Sequence, residues 1–89
     1  MQKPMLNLDN VKQFLRLDTD AEDRYLSVLL ILAKELCENY LRREIPKEPV
    51  ESIRLAQLLV ISHYFEHRDG TPLPKAVYRL LDDYRNEVF

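Results

Sequence analysis

The residues of this chain whose types and spacing could support chemistry fall in one stretch, His63-Tyr64-Phe65-Glu66-His67. Histidines four apart share one face of a helix. In the H-x-x-E-H order two imidazoles can hold a zinc ion while the adjacent glutamate serves as base. A zinc site of that kind needs a third protein ligand from a separate segment and walls around a substrate cleft. Both histidines of the chain already lie in the motif, and 89 residues leave little from which to build walls. The expectation is therefore structural: one histidine packs at a helix end, Glu66 pairs with a neighbouring base, and Tyr64 and Phe65 enter the core. No catalytic residue, metal ligand or cofactor is expected.

The other polar constellations also read as structural. Asp82-Asp83 and Glu22-Asp23 are sequence neighbours on helices, so their side chains diverge and cannot work as an acid/base couple. Lys12 with Arg16, and Arg42-Arg43, form small basic spots interrupted by Asp9, Asp18, Glu38 and Glu44, which suits solvated helix ends better than a phosphate-binding stripe. One glycine cannot build a phosphate-cradling loop. A net charge of −2 supplies no positive field to draw the chain to DNA or to an anionic membrane. Cys37 is the single cysteine and sits in an apolar helical pattern, so a buried, inert thiol from a reducing cytoplasm is expected.

A hydrophobic fraction of 46% beside 31% charged residues fits one folded domain over 1–89 with a modest core. The densest apolar run, Tyr25 to Ala33, is far shorter than the roughly 20 residues a membrane span requires. Met1 to Met5 leads into a polar segment, so no secretory signal is expected.

Punctuation predicts an all-α chain of about four helices. The first runs from Leu8 to Leu17, capped by Asn7, with Leu8, Val11, Phe14 and Leu15 on its inner face. After a break at Asp18-Thr19-Asp20, with Asp20 as cap, a second helix spans about Ala21 to Arg43. Ile45-Pro46-Lys47-Glu48-Pro49 links it to a third from Val50 to about Arg68, with Pro49 in its first turn. Gly70 stops that helix, and Thr71-Pro72-Leu73-Pro74 turns into a fourth over Lys75 to Glu87, with Val88 a further inner position. The two long helices are expected to form a central antiparallel hairpin.

The second helix carries more apolar surface than such a bundle can cover. Leu26, Leu29, Leu30, Ala33, Cys37, Tyr40 and Leu41 form its core stripe. Val28, Ile31, Leu32 and Leu36 add a second arc, which makes the middle apolar nearly all round and marks these four as the candidate subunit interface.

Several segments carry a resemblance in their order. A Leu8-x-x-Val11-Lys12-x-x-Leu15-Arg16 helix opens the chain, followed by an acidic break at Asp18 to Asp23 and a long apolar helix ending near Glu38-Asn39-Tyr40-Leu41. Next come Ala56-x-x-Leu59-Val60, Tyr64-Phe65-Glu66-x-Arg68, Leu73-Pro74 and a closing Leu80-Leu81-x-x-Tyr84-Arg85. This order resembles the small helical head-tail connector (adaptor) proteins of tailed bacteriophages. The resemblance implies a homo-oligomeric ring of about twelve copies under the portal protein. Such a ring extends the channel for genomic DNA without reading its sequence and docks neck or tail proteins in the virion neck, with host cytoplasm as the place of assembly. The alternative is a small dimeric helical interaction or regulatory module unrelated to virion assembly; oligomer size separates the two.

Overall fold

Asn7 opens the first helix with a reciprocal cap. Its side chain accepts the Asn10 N–H at 2.9 Å while the Asn10 side chain accepts the Asn7 N–H at 3.1 Å, which satisfies two otherwise free donors. In the computed structural model, which describes residues 6–46 and 49–87, four helices follow: α1 (Leu8–Leu15), α2 (Asp23–Leu41), α3 (Glu51–Glu66) and α4 (Lys75–Glu87). The described residues contain no strand, so the fold is all-α as the periodicity predicts. The predicted inner position Val88, and Lys47-Glu48 of the link, lie outside the described residues.

Helix ends depart from the sequence reading for identifiable reasons. α1 and α2 stop at Arg16 and Arg42, whose φ values of 60° and 59° are left-handed. A cap of this kind is usually glycine, so an arginine there gives no sequence signal and the helices read two residues too long. Asp20 does not cap α2. The helix begins after Glu22, which makes no side-chain cap, and Asp20 instead accepts from Lys12 Nζ at 2.8 Å. Pro49 is buried one residue before Val50, the cap of α3, rather than inside the first turn. α3 ends at Glu66, two residues before Arg68.

The start of α2 meets the end of α3, as neighbouring helices do when they run in opposite directions. The Tyr25 hydroxyl donates to the Tyr64 carbonyl at 3.2 Å, and the Tyr25 and Phe65 rings lie 6.4 Å apart. α3 is the central element, packed against α1, α2 and α4. Its Ile53, Ala56, Val60 and Ile61 join Val11 of α1, the Leu26-Leu29-Ala33-Cys37-Leu41 row of α2 and Val77, Leu81 and Tyr84 of α4 in one core. The extents are 42 × 34 × 17 Å. The shortest is less than two helix diameters of about 10–12 Å, so a slab this thin cannot cover both sides of each helix.

Some expected core positions lie outside it. Phe14 is 42% exposed, because α1 is only two turns long and its buried contact is made by Val11. Tyr64 and Phe65 are half-buried rather than central, while Gln57 and His63 are buried instead. The Gln57 Oε1 meets no hydrogen-bond donor among the described residues.

Candidate subunit interface

The four residues singled out on α2 occupy two environments. Val28 and Ile31 are 56% and 62% exposed, while Leu32 and Leu36 are half-buried against the core. Steps of three and four residues place all four on adjoining rows of the helix, so the exposed pair forms a crest and the other two its shoulder. The opposite row, Leu26 to Leu41, is buried. The helix is therefore fixed in rotation by its inner row, and its outer apolar row has no partner within the described chain. Leu55, Val50 and Tyr78 are further exposed hydrophobics. Period alone did not single them out, because Leu55 and Tyr78 each lie beside a core position on their own helix and Val50 is the cap that precedes α3.

A polar clamp flanks the amino end of this surface. Arg68 lies 4.2 Å over the Tyr25 ring and 5.6 Å from the Phe65 ring, and its Nη2 donates to Glu22 Oε2 at 3.2 Å. It ties the segment after α3 to the start of α2 through aromatic faces and one ion pair. At the other end Glu38 accepts the Ile45 N–H at 2.9 Å, which secures the chain after α2. The Tyr40 hydroxyl donates to Asp82 at 2.8 Å, a bond that holds its proton and pushes its pKa up.

The H-x-x-E-H stretch folds into a turn support. His63 is 9% exposed and its Nε2 lies 2.7 Å from the Thr71 carbonyl; a carbonyl only accepts, so this nitrogen carries the proton. His67 Nδ1 lies 3.2 Å from the His63 carbonyl, and the two imidazoles stack at 4.8 Å with planes 23° apart. Stacked rings direct their nitrogens side by side instead of toward one point, and one nitrogen of each is already engaged. Among the described residues Glu66 pairs with no base; it accepts from Ser62 Oγ at 3.1 Å. Asp69 closes the same turn by accepting from the Thr71 hydroxyl and N–H, bonds that hold its carboxyl below the usual range. No group of three potential metal ligands comes together among the described residues.

Cys37 is 1% exposed, and burial, with Glu38 nearby, pushes its thiol up to about 11, so it stays a protonated, unreactive packing group. No helix among the described residues is long and apolar enough to cross a membrane.

The described residues thus form an all-α slab that carries an exposed apolar pair, Val28 and Ile31, on α2. The sequence profile of the phage gp6-like head-tail connector proteins matches residues 5–85. The chain belongs to this family. Its role is therefore that of a structural connector between phage head and tail, as the order of its helices implied. No curated protein and no solved structure matches the connector. The matched span takes in α1, α2, α3 and most of α4, so the α2 surface and the turn support both belong to the family's region.

Proposed function

We propose that the connector, acting as one helical domain over residues 1–89, assembles through Val28, Ile31, Leu32 and Leu36 into a closed ring of about twelve copies beneath the portal protein. In the virion neck that ring extends the channel through which genomic DNA passes and offers a docking face to neck or tail proteins. Assembly takes place in the host cytoplasm, and no residue performs catalysis. The observation that carries this reading is the exposure of Val28 and Ile31 in mid-helix, on an element whose other face is already fully packed. Exposed apolar surface of this kind favours association with another protein surface. A contact that is head-to-tail, with different patches on the two copies, closes into a ring when its rotation permits. A net charge of −2 suits passage of DNA without sequence-specific binding.

Native mass and sedimentation over a concentration series, with negative-stain imaging of large species, test the reading. Rings of about a dozen copies are expected, and Ile31→Glu is expected to prevent them while helicity is unchanged. A persistent dimer would favour the unrelated interaction module. Normal rings from Ile31→Glu would remove the α2 surface as the contact.

A further inference from the structure

A head-to-tail ring needs a second, different patch on each subunit to receive the α2 row. Taking the ring reading as given, the search is for an exposed face that complements that row in both apolar position and charge order. Along the outer face of α2, Arg24, Val28, Ile31 and Glu35 follow one another in steps of four, three and four residues, and all four are exposed. The row is thus basic at its amino end, apolar in the middle and acidic toward its carboxyl end. On α4 the exposed positions Lys75, Arg79 and Asp83 recur every four residues, with exposed Tyr78 beside Arg79. This face lies opposite the buried Val77 and Leu81, and it is basic first, aromatic in the middle and acidic last.

We infer that the α2 row of one copy docks, antiparallel, on the α4 face of a second copy. In that direction Arg24 meets Asp83, Val28 and Ile31 meet Tyr78 and the aliphatic stem of its neighbour Arg79, and Glu35 meets Lys75. A parallel arrangement would oppose Arg24 to Lys75 and Glu35 to Asp83, two like-charge contacts that disfavour it. At 1.5 Å per residue Arg24 and Glu35 lie about 16 Å apart and Lys75 and Asp83 about 12 Å, a difference that long side chains span. Tyr78 is suited to the central position, being backed by Tyr40 at a ring separation of 5.2 Å and still 38% exposed. Asp82 is not counted on this face, because Tyr40 already occupies it.

The test is a charge exchange, read by sedimentation of the full chain at low salt with helicity followed in parallel. Arg24→Asp and Asp83→Arg are each expected to weaken self-association about tenfold, and the two together to restore it. Tyr78→Glu is expected to weaken it further, like Ile31→Glu. If the unaltered chain stays monomeric throughout, the self-association reading itself falls, and this contact with it. If the chain associates and Ile31→Glu does not, but Asp83→Arg and Tyr78→Glu associate normally, the α2 surface stands and the α4 face is overturned. Single variants that weaken association without mutual rescue overturn the antiparallel pairing.

Discussion

In mid-helix the two faces of α2 carry equally apolar side chains with opposite fates, although the outer face becomes charged at Arg24 and Glu35. Leu26, Leu29, Ala33, Cys37 and Leu41 are buried, whereas Val28 and Ile31, on the same helix, stand in solvent. Hydrophobicity does not separate them; supply of partners does. α3, α1 and α4 pack against α2, and among the described residues no further element lies over the outer row. The inner row is therefore a stability device, and the outer row is apolar surface without a partner among the described residues.

The largest effect that separates the two faces is a truncation on each. Leu26→Ala removes a fully buried side chain from between helices and is expected to cost about 2–5 kcal/mol, read as a lower denaturant midpoint at unchanged slope. Ile31→Ala, 62% exposed, is expected to stay within about 0.5 kcal/mol in the monomer while weakening association. Equal destabilisation by both would mean that the outer row is already packed within one chain.

Smaller effects come from the devices that hold α2 in place. Arg68→Ala removes the cation over Tyr25 and its pair with Glu22; both are part-exposed, so the expected loss is about 1 kcal/mol, diminished in salt only by the ion-pair share. Arg42→Gly relieves the left-handed φ of 59° at the end of the helix and is expected to raise stability by about 1 kcal/mol, read as a higher denaturant midpoint. An unchanged midpoint would show that the Arg42 side chain contributes as much as its backbone strain removes.

These positions also mark where the sequence was readable. The inner row followed from a 3.6-residue period, and the four helices from Asn7, Gly70 and the prolines, because each signal is local. The ends at Arg16 and Arg42 were hidden because arginine normally shuns that backbone conformation. The cap role given to Asp20 failed because Lys12, eight residues away, competes for the same carboxylate, a contact set by how α1 folds back on α2. The surplus apolar arc was legible as surplus; its division into a crest at Val28 and Ile31 and a shoulder at Leu32 and Leu36 was not, since that depends on where α3 lies. The histidine pair illustrates the converse. A motif with a chemical meaning became a turn support once the Thr71 carbonyl came within reach of His63.

The smallest expected effect concerns the corner before α2. Lys12 Nζ lies 2.8 Å from Asp20 and 3.0 Å from Asp23, which raises the lysine above its ordinary value and, for Asp20, lowers the carboxyl. A carboxyl lowered on folding contributes stability above its unfolded value of about 3.9, and the contribution is lost as pH falls through the folded value. A lysine raised on folding contributes below about 10.4 and loses that contribution as pH rises through its folded value. The contribution is thus full between roughly pH 4 and pH 10, and it fades outside those limits as pH falls through the lowered carboxyl value or rises through the raised lysine value. Asp20→Asn is expected to lower the urea midpoint slightly at pH 7, with the difference from the parent fading as pH falls through the lowered carboxyl value and shrinking in salt. Because this corner anchors the inner row and leaves the outer row untouched, the same variant should associate as the parent does at pH 7. A loss of association on removing the Asp20 charge would show that the corner belongs to the contact between copies, and the proposed contact surface on α2 would have to be redrawn to include it.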